Sequence, residues 1–371
     1  MELRTKLLSD HPEYYAERVE VFDGDTQMTG ASLISTFTRF GENWLPTLMI
    51  GGVGTKPEYR REGHVRQIFE RTFAESVNKP WVVSLLHPFS FNYYRKFGYE
   101  QVCDHRLVTL PMAALSHIPR CADFRPMQEE DIPELLELYN DRFACGRQLI
   151  PKRAVGSRFQ FALGNGELGY VLRENGRIRA YLKLTSEKKY IVNHMGDGLL
   201  TVHEIAFDSR EALIRAIGFL RMFEGELERV FFANLAPVPE IEFLLREYIA
   251  DKIEIVPDIA ARVLNTAGLL EAAKYPEQSG SFTVRVDDTL PRVAGVFHVE
   301  YANGKGKAVR LADDAVWDIR ADAAAFVRLV YGYDGADARQ AAYMYNVELA
   351  NSAEDFFRAF PKHPCGVFEH F

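Results

Sequence analysis

Two adjacent arginines precede a glycine where the sequence predicts the start of a helix, in the order Arg60-Arg61-Glu62-Gly63. The residues before them, Gly52-Val53-Gly54-Thr55, read as the end of a strand, so a strand, a tight loop and a helix follow one another. Free N–H groups and the dipole at a helix start attract an anion. Two guanidinium groups placed there cost about 0.3–1 kcal/mol each unless an anion offsets them. The pattern therefore predicts a phosphate or diphosphate site, with a solvated loop as the alternative.

A pair of tyrosines, Tyr93-Tyr94, follows the predicted strand Trp81–Leu86 and the segment His87-Pro88-Phe89-Ser90. A phenol with a pKa of about 10 stays protonated at neutral pH and can donate its proton to a departing thiolate. A tyrosine here has the chemistry that a general acid needs, and core packing is the alternative. For Tyr93, Phe97 and Tyr99, core packing is the expected role.

The first of these patterns resembles motif A of the GNAT acetyltransferases, here in the form Arg60-x-x-Gly63-x-Val65. Val65 departs from the Gly or Ala that is usual at its position. The Eis-like (enhanced intracellular survival) branch accepts a bulky residue there and follows it with Arg, as Arg66 does. The string L-H-P-F-x-x-x-Y-Y-R-K-F-G-Y-E, residues 86–100, also resembles the equivalent Eis-like segment.

The resemblance implies that acetyl-coenzyme A is the co-substrate and that no metal is used. It implies Tyr94 as the general acid. In Eis-like proteins the last residue turns into the active site and its free carboxylate is the base, which gives Phe371 that role here, with His370 as an alternative base. End residues usually fray, but Val367, Phe368 and Phe371 are too apolar for a loose tail. The implied cofactor-binding residues are Val53, Gly54, Thr55, Arg60, Arg61, Glu62, Gly63, His64, Val65, Arg66, Phe89 and Ser90.

Hydrophobic periodicity predicts an α/β (α+β) protein in three segments. The resemblance implies a catalytic GNAT domain in residues 1–120, a degenerate second GNAT-like domain without an R-x-x-G-x string in 121–258, and a sterol-carrier-protein-like domain in 259–371 that supplies the C-terminal carboxylate. The main predicted strands are Arg18–Phe22, Ala31–Phe40, Thr47–Thr55, Tyr99–Leu110, Gly280–Asp287 and Val316–Ile319. The main predicted helices are Glu62–Val77, Ser90–Phe97, Ser209–Glu224, Asp322–Val330 and Asn351–Phe360.

The first segment has 17 residues before Arg18. The resemblance implies an opening strand and one or two helices that wall the acceptor pocket, and Met1–Tyr15 is too short for all of them. We therefore expect an open pocket, a neighbouring subunit that fills the gap, or lost acceptor binding.

Composition narrows the class of protein. The net charge of −8 argues against nucleic-acid or anionic-membrane binding. The sequence contains no run of about 18 apolar residues, so no transmembrane helix is expected. The N-terminus does not have the pattern of a secretory signal. The four cysteines form no C-x-x-C pair, so neither a zinc site nor a disulfide framework is expected. A reduced cytoplasmic protein is the prediction.

The functional prediction is an N-acetyltransferase that moves acetyl directly to a primary amine. The acceptor would be a cationic small molecule, aminoglycoside-like or polyamine-like, or lysine, and the resemblance implies a homo-oligomer, up to a hexamer. One alternative is a non-catalytic or regulatory coenzyme A-binding protein that has lost its acceptor pocket. The other is a lipid carrier that acts through residues 259–371.

Overall fold

The computed structural model describes residues 2–191, 194–245, 250–333, 335, 337–350 and 353–371. The strands are β1 (Glu2–His11), β2 (Tyr14–Asp23), β3 (Thr26–Gly41), β4 (Asn43–Thr55), β5 (Val83–Leu86), β6 (Glu100–Gln101), β7 (Asp104–Pro111), β8 (Phe124–Pro126), β9 (Arg147–Pro151), β10 (Leu168–Glu174), β11 (Arg177–Ile191), β12 (His194–Phe207), β13 (Arg229–Phe232), β14 (Lys252–Pro257), β15 (Ala260–Val263), β16 (Gly280–Asp287), β17 (Gly295–Ala302), β18 (Lys305–Leu311), β19 (Ile319–Asp322) and β20 (Val347–Leu349). The helices are α1 (His64–Glu75), α2 (Phe91–Arg95), α3 (Ile132–Glu137), α4 (Arg210–Leu220), α5 (Glu240–Leu244), α6 (Thr266–Ala272), α7 (Ala323–Val330), α8 (Ala338–Ala341) and α9 (Glu354–Ala359).

These elements form three sheets, and the predicted mixed α/β architecture is confirmed. The first sheet has the order β1-β2-β3-β4-β5-β15-β6, with β9 also paired to β3. The second has the order β14-β7-β13-β12-β11-β10-β8, and the third β18-β17-β16-β19-β20. In the first sheet α1 buries Ile68, Phe69 and Phe73, the apolar stripe that the helical periodicity predicted.

The second sheet repeats the plan of the first. In the first, β4 and β5 are parallel and α1 connects them. In the second, β12 and β13 are parallel and α4 connects them. Each parallel pair lies beside a ladder of antiparallel strands, because only a crossover connection can return the chain to a parallel neighbour. The repeat in the second segment that the sequence suggested is therefore visible in the topology.

The chain crosses between the two large sheets at several points, and two of these crossings lie next to each other. The strand predicted as Tyr99–Leu110 is split, since β6 lies in the first sheet and β7 in the second. On the return, β14 lies in the second sheet and β15 in the first. The two crossings run side by side, with Val102 N donating to Ile259 O at 3.0 Å and Asp258 N to Cys103 O at 3.1 Å. The proposed segment boundaries near residues 120 and 258 therefore do not separate the sheets.

The N-terminal residues form a strand, β1, that the sequence patterns did not predict. Only Pro12 and Glu13 separate it from β2, to which it pairs in an antiparallel hairpin. Residues 152–159 pack against this hairpin. Lys152 forms an ion pair of 2.9 Å with Glu13, and the ring of Phe159 lies 5.6 Å from that of Tyr14. Residues from the second segment thus lie beside the turn that connects β1 to β2.

The third sheet is covered on one face by α7 and α9. Between them, aromatic rings fill the core, among them Phe282, Phe356 and Phe360, with centroids 5.0–6.0 Å apart. The strand predicted over Val316–Ile319 instead begins at Ile319, and Val316 is 87% exposed. The last helix spans Glu354–Ala359, and the predicted start at residues 351 and 352 lies outside the described residues.

Candidate functional site

The parallel strands β4 and β5 diverge, which opens a gap in the first sheet. They pair only from Thr47 with Val83 to Met49 with Leu85. Beyond that point β5 ends, while β4 continues along β3 as far as Thr55. In the described part of the chain, the edge of β4 that faces the gap has no further ladder partner. An extended, amide-containing ligand could therefore pair with this edge as an added strand does.

A β-bulge shapes the edge of β4 at the gap. Gly30 pairs with Gly54 and Ser32 with Gly51, so β4 carries one extra residue there. Gly52 takes a left-handed conformation with φ of 55°, which glycine adopts at little cost. Its carbonyl accepts a hydrogen bond of 3.0 Å from Arg18 Nη1. A side chain on Gly54 would meet no heavy atom within 4 Å, so the backbone there is open to a ligand.

The loop after β4 ends in an exposed helix start. Arg61 and Gly63 have φ values of 70° and 86°, and Gly63 is the N-cap of α1 without a side-chain cap. The helix therefore begins at His64, two residues later than predicted. Arg60 Nε donates to Thr55 O at 3.3 Å, which folds the loop back onto the strand end. Arg60, Arg61 and Gly63 lie together beside N–H groups that can receive an anion.

The other residues implied for this loop are divided between two faces of α1. His64 is buried, and its Nε2 lies 3.0 Å from a carboxylate oxygen of Glu62. Val65 packs against the core of the first sheet. Arg66 lies 3.5 Å from Glu70 and 5.5 Å above the Phe97 ring. It also lines a groove of about 520 Å³ between α1 and the third segment.

The second copy of the fold carries an acid where the first carries arginines. Ser209 caps α4, its Oγ accepting from Ala212 N at 3.2 Å. Asp208, just before it, forms ion pairs of 2.7 Å with Arg179 and 2.9 Å with Arg142. A carboxylate and a side-chain cap already satisfy this helix start, so it offers no comparable place for an anion.

The segment that carries the tyrosine pair follows β5, on the other side of the gap from β4. Ser90 is the N-cap of α2, its Oγ accepting from Tyr93 N at 3.3 Å. Tyr94 is buried beneath the exposed Phe89, with ring centroids 5.4 Å apart. Burial, and after it the neighbouring Tyr93, raises the pKa of Tyr94 to about 12. Its phenol therefore stays protonated throughout the neutral range.

The last residues of the chain are held against the second segment. Val367 O accepts a hydrogen bond of 2.9 Å from Asn234 Nδ2. The Glu369 carboxylate accepts from Arg153 Nε at 2.7 Å and from the Tyr139 hydroxyl at 2.9 Å. Charged hydrogen bonds of this kind are about twice as strong as neutral ones, so Glu369 anchors the tail firmly to the second segment.

The tail places Phe371 beside β4, close to the point where β4 and β5 stop pairing. A Cβ atom built on Gly51 of β4 would lie 2.7 Å from the carboxyl carbon of Phe371 and 3.0 Å from its oxygen. On the other side the Phe371 ring lies 4.6 Å from the His87 ring, which follows β5. Phe371 thus contacts both strands' ends: its carboxyl group lies over Gly51 of β4, and its ring lies against His87 after β5.

Three polar side chains are linked behind Phe371. His87 Nδ1 lies 2.9 Å from Asp258 Oδ1, and His105 Nδ1 lies 3.6 Å from Asp258 Oδ2. Burial alone would raise the pKa of Asp258, but the neighbouring His105 and His87 hold it well below its usual range. Asp258 in turn raises the pKa of His105. The sequence patterns did not find this group, since its members are far apart in the chain.

A polar cavity of about 200 Å³ adjoins the tail. Its charged lining consists of Arg153, Arg158, Lys183, Glu204 and Glu369. The buried Arg153 already pairs with Glu204 at 2.7 Å and with Glu369. The lining therefore has a small excess of positive charge.

Comparison with known proteins identifies the first sheet. The model of the acetyltransferase (GNAT) domain matches residues 5–102, which include β4, the arginine loop, α1 and α2. The N-terminal part of the chain is thus similar to a GNAT acetyltransferase domain. No curated protein sequence matches the chain.

Solved structures resemble the chain over nearly its whole length. A GCN5-related N-acetyltransferase from Anabaena variabilis has 18% identity and a TM-score of 0.79, covering 95% of this chain and 89% of that one. A probable N-acyltransferase from Enterococcus faecalis has 16% identity and a TM-score of 0.78, covering 100% of both chains. Eis1 from Mycobacterium abscessus has 14% identity and a TM-score of 0.76, covering 95% of this chain and 90% of its own. These likenesses show a shared fold.

Among the described residues, no group of three or more His, Cys, Asp or Glu side chains is arranged to hold a metal ion. None of the described helices is long and apolar enough to span a membrane.

Proposed function

We propose that this chain is an acetyl-coenzyme A-dependent N-acetyltransferase that transfers the acetyl group directly to a primary amine. The observation that carries the proposal is the position of the Phe371 carboxyl group, which lies against Gly51 of β4, just past the point where β4 and β5 stop pairing. The same strand leads to the arginine loop. A proton acceptor and an anion site are therefore joined by one open strand edge.

The described residues fit the co-substrate. Arg60 and Arg61 would neutralise its diphosphate, and the N–H groups that follow Gly63 would donate to it. Val53, Gly54 and Thr55 would pair with the amides of its pantetheine arm, since Gly54 has open space beside its backbone. The other proposed contacts of this ligand are Glu62, His64, Val65, Arg66, Phe89 and Ser90. When bound, acetyl-coenzyme A supplies an activated acetyl thioester.

Two groups of the chain would move protons at this site. The carboxylate of Phe371 accepts the proton that an acceptor ammonium must lose before its nitrogen can attack. The Tyr94 hydroxyl donates a proton to the departing sulfur. Its pKa of about 12 keeps the phenol protonated at neutral pH, so the donor is always in the required form.

The acceptor we propose is a primary amine on an aminoglycoside-like or polyamine-like cation, or on lysine. The charge of the polar cavity beside the tail bears on which acceptor amines could bind there. Arg158 and Lys183 leave a small positive excess there, and like charges repel. An amine that also carries an acidic group is therefore a candidate, and an acceptor panel should include both kinds.

Association into a homo-oligomer, up to a hexamer, is part of the proposal. The ten-residue strand β1 lies at the edge of the first sheet, and its Leu7 and Leu8 are 55% and 51% exposed. The backbone N–H and C=O groups along the outer side of an exposed edge strand are a template for pairing with another chain. A reduced, cytoplasmic location is also proposed, since Cys103, Cys121, Cys145 and Cys365 are free.

One observation favours a second candidate, a coenzyme A-binding protein without transferase activity. In the described chain, β1 and β2 are connected by two residues, whereas an acceptor pocket of the expected kind needs helices at that place. Lipid transport through the third segment has less support, because aromatic rings fill its core.

Isothermal titration calorimetry with acetyl-coenzyme A tests the proposal. Each charged hydrogen bond contributes about 1.5–3 kcal/mol, so the double variant Arg60→Ala/Arg61→Ala is expected to weaken binding at least about tenfold. Arg177→Ala removes one guanidinium charge from an exposed ion pair in the second segment and should leave the affinity unchanged. Thiol release against the acceptor panel then measures transfer.

The outcomes separate the candidates. No heat of binding with the wild type, or an unchanged affinity in the double variant, would contradict the cofactor site. Binding without transfer to any amine would favour the second candidate function.

A further inference from the structure

The polar cavity of about 200 Å³ beside the C-terminal tail has walls from separate parts of the chain. Arg153 and Arg158 line it from the loop after β9, Lys183 lines it from β11, and residues 368–370 line it from the tail. The volume is several times the roughly 30 Å³ of one water molecule and lies below the about 300 Å³ at which sites for drug-sized ligands begin. The cavity therefore suits one polar end of a small molecule.

The two carboxylates of the lining are already paired with a buried arginine and with tyrosine hydroxyls. Glu204 accepts from Arg153 Nη1 at 2.7 Å and Nη2 at 2.9 Å, and also from the Tyr181 hydroxyl. Although burial raises the pKa of Glu204, Arg153 holds it below its usual value, so the group stays ionised. Glu369 accepts from Arg153 Nε at 2.7 Å and from the Tyr139 hydroxyl at 2.9 Å. Donors of the protein itself therefore occupy both acids.

Arg158, by contrast, is exposed and forms no ion pair with a described residue, the chain terminus included. Its Nη2 donates to His370 O at 3.4 Å, which is a long hydrogen bond. It also lies near the Tyr14 hydroxyl, whose pKa is raised by burial and lowered in part by Arg158. A guanidinium has five N–H donors, so most of them have no partner in the described chain. Lys183 pairs with Glu167 at 3.4 Å, which leaves Arg158 as the cation that an acidic ligand would meet.

Arg158 and the proposed base lie close together. The carbonyl group to which Arg158 donates belongs to His370, the residue directly before Phe371, and neighbouring Cα atoms are about 3.8 Å apart. One small molecule can therefore reach both the guanidinium and the terminal carboxylate. Because these two groups carry opposite charges, they complement a molecule with an ammonium group at one end and an acid at the other.

We propose that this cavity holds a carboxylate of the acceptor and that Arg158 recognises it, an inference that rests on the proposed function. The substrate class is then an amino acid, whose carboxylate binds Arg158 while its ammonium group faces Phe371. Phe159, another residue of the lining, packs against Tyr14 beside the β1–β2 turn, so the cavity adjoins the place where an acceptor pocket is expected. Aminoglycosides and polyamines lack the acid and are poor acceptors.

Two pairs of amines test the substrate class. Lysine and lysinamide have nearly the same size and differ in the charge of one end, and γ-aminobutyrate and its amide repeat the comparison with a single amine. Thiol release at saturating acetyl-coenzyme A should give the acid a kcat/KM at least about tenfold above that of its amide in one pair or both, because the amide cannot form a charged hydrogen bond with Arg158. Turnover of the amides at rates equal to or above those of both acids would overturn the proposal.

The variant Arg158→Gln assigns the preference to one side chain. It removes the charge but keeps an amide that can donate to His370 O. KM for the preferred acid should rise about tenfold or more, whereas kcat and KM for acetyl-coenzyme A should stay within about threefold. Arg158→Lys keeps the charge and should recover part of the affinity. Arg177→Gln, in an exposed ion pair of the second segment, is the matched control and should behave as the wild type.

A binding measurement separates this proposal from the proposed function. Saturation-transfer NMR on the full-length protein with coenzyme A should show stronger binding of lysine and γ-aminobutyrate than of their amides, and the difference should disappear in Arg158→Gln. If the wild type shows that difference but acetylates no amine, the carboxylate site stands and the proposed function fails. Equal binding of acids and amides, or an acid preference that survives in Arg158→Gln, overturns the carboxylate site even if acetyl transfer is observed. Equal thermal midpoints of variant and wild type would show that the fold is intact.

Discussion

A methyl group added by Gly51→Ala would collide with the proposed base. The ideal Cβ position is 2.7 Å from the carboxyl carbon of Phe371 and 3.0 Å from its oxygen, whereas non-bonded carbon atoms rest at about 3.5–4.0 Å. Gly51 does not have a positive φ, so alanine suits its backbone. Because Gly51 is buried in a central strand of the first sheet, the chain end is the part that must move, by about 1 Å.

The size of the effect follows from that displacement. A misplacement of about 1 Å in a reacting group can cost about 100-fold in rate, or about 2.7 kcal/mol at 1.36 kcal/mol per tenfold. We therefore expect Gly51→Ala to lower kcat/KM for the amine about 100-fold. Affinity for acetyl-coenzyme A should change little, because the arginine loop and the start of α1 are not touched.

The assay is thiol release at saturating acetyl-coenzyme A with varied amine, for Gly51→Ala and for a chain that lacks Phe371. Once Phe371 is absent, the methyl group has nothing to displace, so adding Gly51→Ala to that chain should have no further effect. Gly54→Ala, where a Cβ meets no atom within 4 Å, is the matched change on the same strand and should not reproduce the loss in the amine step. Wild-type kcat/KM in Gly51→Ala, or an equal loss with and without Phe371, would refute the reasoning.

Two further predictions concern a proton donor and the stability of the second segment. Tyr94→Phe should lower kcat about 100-fold with little change in acetyl-coenzyme A affinity. Because the pKa of Tyr94 is about 12, the wild type should lose no activity through this phenol below about pH 10. A loss of activity at lower pH that is absent from the variant would contradict the assignment. Arg125 holds the pKa of Asp131 at about 2, so the folded state gains stability above the unfolded pKa, near 3.9, and loses it as the pH falls through about 2. Asp131→Asn should therefore cost about 1–2 kcal/mol at neutral pH, measured by urea unfolding, and a difference that persists unchanged at pH 2 would contradict this cause.

Much of the first sheet could be predicted from local patterns. Alternation along β3 and β4, the helical stripe on α1 and the left-handed Gly63 each depend on neighbours within a few residues. The arginine loop and the string around Tyr94 are also continuous in the chain, so their order alone indicated a strand edge, an anion site and a phenol. The patterns failed for β1 because its residues are mostly exposed and show no clear alternation.

The arrangement around Phe371 depends on contacts that no short stretch of sequence contains. Apolar residues near the end of the chain indicated that the tail packs somewhere, but Arg153, Tyr139 and Asn234 determine where it goes. His87 and Asp258 meet because β14 and β15 pass from one sheet to the other beside β6 and β7, and that crossing is set by the burial of whole strands. Local spacing therefore specifies the elements and the ligand-facing loop, while long-range packing brings together the base, its strand edge and the charged pair behind it.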